Sequence, residues 1–309
     1  MSKNLRFDDE VAIVTGAGNG LGRSYAIELA ARGAAVVCND FVEAAACATA
    51  DQILGAGGQA VPETSSVASP EGGAAIVRTA IDCFGSVEIV INNAGQLRPA
   101  PFEDMTIEHF EEVIRTHLMG AFYVTQPAFQ RMKAARYGRI VFTSSSSGVY
   151  GSPWAANYAA AKTGVLGLSN VVSLEGASHD IKSNVIMPQA LDTSMGSEGI
   201  APYPPEYLAE MLEAFRPFAR HATVENVTPL VVYLAHRSCQ LTQQIFSVGS
   251  GHLGRVFVGV APGWFAPDLT LPAAEEVVAY LDLASDLTGF EILRSATEEL
   301  KLMAEHMRH

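Results

Sequence analysis

The chain has 309 residues, 49% of them hydrophobic, and a formal net charge of −13 at pH 7, so it holds apolar material for one large α/β domain or two small ones. That acidic balance, with no local Lys/Arg cluster to offset it, sets aside nucleic-acid backbones and anionic membrane surfaces as partners. The start "MSKNLRFDDEVAIV" lacks the features of a secretion signal and no apolar run reaches bilayer length, so a cytoplasmic location is expected; Cys38, Cys47, Cys83 and Cys239 lack ligand spacing, so no metal site is expected.

In chain order, "VAIVT" 11–15 reads as the first strand and 21–32 as the first helix. Between them Gly16, Gly18, Asn19, Gly20, Leu21 and Gly22 make a glycine-rich turn, where a pyrophosphate can approach backbone N–H groups at a helix N-terminus. A second strand, 34–40, ends on Asp40, eighteen residues after Gly22, where a carboxylate can accept hydrogen bonds from an adenosine ribose. A ribose 2′-phosphate about 5 Å from that carboxylate would be repelled by several kcal/mol at an effective dielectric near 20, which predicts NAD rather than NADP. Helices follow near 43–56 and 70–84, then a strand at 87–93, a helix over 106–135 and a strand at 139–144. A helix over 156–179, strands at 183–187 and 244–248 and a helix at 224–235 complete the rhythm. Repeated βαβ units with strands apolar on both faces predict a doubly wound parallel sheet of the Rossmann type.

Residues 189–221, rich in Pro, Met and aromatics, read as a substrate loop with a short helix or two. Met195, Tyr203, Tyr207, Met211 and Phe215 would give it an apolar wall, suited to a bulky apolar alcohol or ketone. After Gly254 the rhythm stops. Residues 1–252 are expected to form the dinucleotide-binding and catalytic domain, and 253–309 an extension packed on it, with an irregular hairpin and helices at 272–284 and 292–306.

The stretch "TSSSSGVYGSPWAANYAAAK" (143–162) carries the chemistry. Tyr158 and Lys162 are i and i+4 on one helix face. At about 5 Å and a dielectric near 20 an ammonium stabilises a phenolate by roughly 3 kcal/mol, about two pKa units, which brings a phenol toward neutrality as a general acid/base. Ser145, thirteen residues before Tyr158 at the carboxyl edge of the sheet, is the candidate donor to a developing oxyanion. Ser144, Ser146 and Ser147 are expected to form turns or caps.

Thr15-Gly16-x-x-x-Gly20-x-Gly22, Asn92-Asn93-Ala94-Gly95 and the Ser145/Tyr158/Lys162 spacing, in this order over roughly 8–252, resemble the short-chain dehydrogenase/reductase family. The resemblance implies that Tyr158 is the general acid/base, that Lys162 lowers its pKa and holds the nicotinamide ribose, and that Ser145 binds the substrate oxygen. It implies that Asn93, Ala94 and Gly95 line the cofactor cleft, and that Pro188 to Thr193 approach the nicotinamide. Two departures stand out: "THLMGAF" has His117 where many members carry a catalytic asparagine, and Ser66-Val67 replaces an acid before valine near the adenine. With "YGRIVFTSSSSGVYG" and "SVGSGHLGR" these are similar to one branch, the (3R)-hydroxyacyl-CoA and hydroxysteroid dehydrogenase domains of multifunctional β-oxidation enzymes. His117 reads either as a water-relay member or as a core or helix-kink residue. The competing function is an NADH sensor or scaffold without turnover. Ala161, Gly164 and Gly167 on helix 156–179 suit close helix packing, which predicts a homodimer or homotetramer.

Overall fold

The computed structural model describes residues 5–190, 203–266 and 270–306, and they divide into two compact units, Met1–Arg255 and Val256–His309. The first unit is built on β1 (Val11–Thr15), β2 (Ala35–Asn39), β3 (Gln59–Glu63), β4 (Ile89–Asn92), β5 (Gly138–Thr143), β6 (Ile181–Pro188), β7 (Ile245–Gly249) and β8 (His252–Val256). Their order across the sheet is β3-β2-β1-β4-β5-β6-β7-β8, with β1 to β7 paired in parallel. Only two residues separate β7 from β8, a link that permits an antiparallel neighbour and not a crossover.

Helices cover both faces: α1 (Gly20–Ala31), α2 (Glu43–Gly55), α3 (Pro70–Phe84), α4 (Ile107–Ile114), α5 (Gly120–Ala135), the short α6 (Ser147–Tyr150), α7 (Ala156–Gly176), α8 (Pro205–Phe215) and α9 (Thr228–Ala235). Strand alternation divides the core between them. Ala12 and Val14 join Tyr25, Leu29 and Val231 in one apolar layer, while Val11 and Ile13 join Ile76, Val124 and Val165 in the other. Burial of β1 on both faces explains its uninterrupted apolar run.

Three features differ from the sequence expectation. β3, "QAVPE", has no apolar run because it is a half-exposed edge strand, the sheet position that tolerates Pro62. The helix expected over 106–135 is interrupted by a π-helical turn, Arg115–Met119, between α4 and α5. The small residues of α7 serve the chain itself: Ala161 is fully buried and a Cβ on Gly164 would lie 2.7 Å from Leu118 Cδ2, so only Gly167 faces open space.

In the second unit, Val260 and Glu291 form an antiparallel bridge, Phe257 stacks on Phe290 at 5.5 Å and Trp264 on Tyr280 at 3.9 Å. Short helices α10 (Ala274–Val277) and α11 (Leu281–Ala284) precede α12 (Ala296–His306).

Candidate active site

Strand order reverses between β1 and β4, which opens a crevice at their carboxyl ends. β1 runs out into Gly16 at φ +65°, where a Cβ would lie 2.9 Å from Ala94 Cα of the β4 end, so only glycine lets the two chains approach. Gly16 to Gly22 form the turn and first turn of α1. Asn19, its exposed N-cap residue, makes no side-chain capping bond, so N–H groups there are open to an anion. Asn93 Nδ2 donates to the carbonyls of Thr15 (3.1 Å) and Gly16 (3.3 Å), bracing the turn. Thr15 Oγ1 accepts the N–H groups of Asn93 (3.0 Å) and Ala94 (3.1 Å), and buried Thr49 donates to Ala17 O (2.9 Å).

From this turn a cleft of about 730 Å³ extends past Asp40, Ser66, Val67, Ala94 and Gly95, a volume proper to a cofactor-sized ligand. Asp40 Oδ2 accepts the Gly18 N–H (3.0 Å) and Oδ1 the Val42 N–H (3.0 Å), which fixes the carboxylate while each oxygen keeps a lone pair. Exposed Ser66 accepts the Ala68 N–H (3.2 Å), and Val67 is buried. The cleft's arginines face acids, Arg98 to Glu112 at 3.3 Å and Arg115 to Glu111 at 3.7 Å. A fixed carboxylate beside a glycine turn with open N–H groups is a donor and acceptor set that fits a nicotinamide dinucleotide.

At the other end, β5 and α7 bring Ser145, Tyr158 and Lys162 together. Ser144 Oγ donates to Lys162 O (2.7 Å), so this serine ties strand to helix rather than forming a turn. Ser146 accepts the Gln189 amide (2.8 Å), Ser147 pairs with Ser152 (2.8 Å), and the Ser147 N–H donates to Ser145 Oγ (3.2 Å). Lys162 is buried; its Nζ donates to Thr143 O at 2.6 Å and lies 5.5 Å from the Tyr158 ring centroid. The expected pKa lowering at Tyr158 is not what this arrangement gives. Burial pushes the phenol up, opposed by a hydrogen bond with Ser145, and burial brings Lys162 down to about 7. The Coulomb argument from spacing left out desolvation, which acts against both charged forms.

His117 points inward from the π turn. Its Nε2 faces both the N–H (3.0 Å) and the C=O (2.8 Å) of Gln96, so either neutral tautomer finds a partner there. A Cβ on Gly95 would collide with the imidazole, which makes glycine obligatory at that position. Burial first, then the Lys162 charge, hold His117 well below its usual range, against the hydrogen bond with Gln96. His117 Nδ1, Asn92 Oδ1 and Thr143 Oγ1 are buried without a protein partner. All three residues and Lys162 line one cavity of about 10 Å³, room for a single water.

Sequence reading missed Asn157. It is fully buried, and its amide donates to Arg98 O (2.9 Å) and His109 O (3.1 Å) while Oδ1 accepts the Tyr158 N–H (2.7 Å). It thereby fixes the start of α7; an asparagine just before the tyrosine was the available signal. Pro188 closes β6, whereas Thr193 and Met195 lie outside the described residues. Of the other loop residues, Tyr203 stands 5.7 Å from Tyr207 and Phe215 packs on Phe218 at 5.2 Å.

A family model described as short chain dehydrogenase matches residues 10–202. The chain is 42% identical over 265 residues to peroxisomal multifunctional enzyme type 2 of Mus musculus, covering 83% of this chain and 34% of that one. It is 37% identical over 295 residues to a short-chain type dehydrogenase/reductase of Mycobacterium tuberculosis, covering 92% and 96%. The structure of full-length peroxisomal multifunctional enzyme type 2 from Drosophila melanogaster superposes with a TM-score of 0.78 at 33% identity, covering 98% of this chain and 50% of that chain. The chain thus spans about a third of the mouse enzyme and half of the Drosophila one.

Proposed function

This chain belongs to the short-chain dehydrogenase family, and on that premise we propose that it is an NAD-dependent oxidoreductase interconverting a secondary alcohol and a ketone on a 3-hydroxyacyl thioester. One observation carries this reading: Ser145, Tyr158 and buried Lys162 converge at the sheet edge beside a turn and carboxylate suited to a dinucleotide.

In the oxidation direction, Ser145 Oγ donates to the substrate oxygen and holds it against Tyr158. Tyr158 Oη takes the hydroxyl proton as the carbon is oxidised, and returns it in reduction. The bound cofactor supplies the hydride acceptor and, when oxidised, a positive ring. Lys162, held by Thr143 O, lies 5.5 Å from the Tyr158 ring centroid, where its protonated form favours the phenolate that accepts the proton. His117 and the water-sized cavity beyond it give Lys162 a polar route along which a proton can be handed on.

The acyl thioester is favoured over a hydroxysteroid by 34% identity over 245 residues to a 3-oxoacyl-[acyl-carrier-protein] reductase of Synechocystis. The headgroup of the thioester stays open, because Arg98 and Arg216 sit beside Glu112 and Glu213 rather than free for phosphates. NADH formation with 3-hydroxyacyl thioesters of several chain lengths and with hydroxysteroids tests the reading. If Tyr158→Phe retains the wild-type rate on the best substrate, the reading fails.

A further inference from the structure

Gln96, which follows Gly95 beyond the end of β4, grips the π turn at two points. Its side-chain Nε2 donates to Thr116 Oγ1 (3.0 Å) and to Glu112 O (3.3 Å). A carbonyl oxygen can only accept, so the amide presents its nitrogen there. Thr116 Oγ1 donates in turn to the same carbonyl (3.0 Å). Glu112 stands in the last turn of α4, just ahead of the point where the ladder lengthens to five-residue spacing and Gly120 N–H donates to Arg115 O. Side chains inserted at such a carbonyl hold the irregular turn in place. The second grip is the Gln96 peptide, whose N–H (3.0 Å) and C=O (2.8 Å) both face His117 Nε2. One residue thus fixes the imidazole at a ring nitrogen and, through its side chain, the turn that carries the imidazole. Gln96 and Thr116 are half-buried and line the cofactor cleft, whereas His117 is buried against Tyr158 and the water-sized cavity.

We propose that Gln96 is a positioning residue for turnover: by holding the π turn with its side chain and the ring with its peptide, it aims His117 at Tyr158 and at the cavity beside Lys162. Its effect on the chemistry runs through His117. Filling space between β4 and the π turn would need only a side chain of this length, whereas aiming the ring needs the two donated bonds. A group that is present but misaimed loses rate, because proton transfer depends on hydrogen-bond geometry. The inference rests on the dehydrogenase reading above and assigns to that site a residue outside the Ser145/Tyr158/Lys162 set.

The test is a double-mutant cycle on kcat with wild type, Gln96→Met, His117→Ala and the double variant; methionine keeps the side-chain length and cannot donate. Gln96→Met is expected to lower kcat by about five- to tenfold in the wild-type background and by less than about twofold in the His117→Ala background. Thr116→Val, which removes the other end of the bond and leaves Gln96 in place, should give the same pattern, so the test survives a poorly folded Gln96→Met protein. An equal loss in both backgrounds would mean that Gln96 acts elsewhere, through the cleft it lines, and overturns the inference. Nitrogen NMR of the histidine rings needs no substrate: the His117 Nε2 signal should shift or broaden in Gln96→Met and in Thr116→Val. An unmoved signal in an active enzyme sinks this inference alone. Wild-type protein inactive with every alcohol would sink the dehydrogenase reading and this role with it.

Discussion

The His117 ring stands edge-on to the Tyr158 ring, centroids 5.1 Å apart and planes at 90°. A neutral imidazole in this position packs the phenol on one side and reaches the water-sized cavity on the other. Replacement by alanine is expected to lower kcat by about a hundredfold, the low end of what a lost proton-transfer partner costs. His117→Asn, which restores a polar side chain, should recover part of the loss. If His117→Ala lowers only the melting temperature, with kcat per folded molecule intact, the ring is a packing residue.

Asp40 is held by two backbone N–H groups, which fix its carboxylate at the wall of the cleft. Asp40→Ala should reduce kcat/KM for NAD by about tenfold and raise it for NADP, since both a ribose acceptor and a repulsive charge are removed. Parallel titrations with the two cofactors decide the point. Equal or better wild-type rates with NADP would contradict it.

Burial raises the Tyr158 pKa, so the phenolate needed to accept a proton grows with rising pH. Alcohol oxidation should accelerate from neutral toward alkaline pH, and ketone reduction, which needs the phenol, should slow across the same range. The two profiles in one buffer series check the sign. An oxidation rate that falls between pH 7 and 9 would be incompatible with Tyr158 as the base.

Lys162 offers a test without substrate. Its folded pKa of about 7 lies below the ordinary lysine value of 10.5, so above pH 7 the unfolded chain binds a proton that the folded chain has released. Stability should therefore rise with pH from about 7 to about 10, by at most about 1.4 kcal/mol per unit. Lys162→Met should lack this increment when denaturant midpoints are compared across that window.

Much of the candidate site's placement was legible because it depends on spacing. The glycine turn, Asp40, Ser145, Tyr158 and Lys162 occupy strand ends and one helix face, which periodicity places well. What was not legible depended on solvent exclusion and on partners far apart in the chain. Spacing predicted the Tyr158–Lys162 attraction, yet desolvation reverses the shift, and desolvation is set by the surrounding fold. The bracing bonds of Asn93 and Ser144 were missed because nothing in the sequence pairs these residues with Gly16 O and Lys162 O. The strand β3 escaped notice because an edge position relaxes the apolar pattern on which strand recognition relies.

The π turn at Arg115–Met119 also re-indexes the long helix that contains it. Ahead of the turn, α4 lies chiefly on α7; beyond it, α5 lies chiefly on α3. One extra residue in a single turn shifts helical phase by about 100°, which a steady 3.6-residue period cannot supply. Removing one residue from 115–119 would straighten the ladder and put the two halves out of step with their separate neighbours. The same deletion would swing residue 117 away from Tyr158, so the ring contact at Tyr158 and the indexing of the two helices are set by the same turn, and a deletion here cannot alter one without the other.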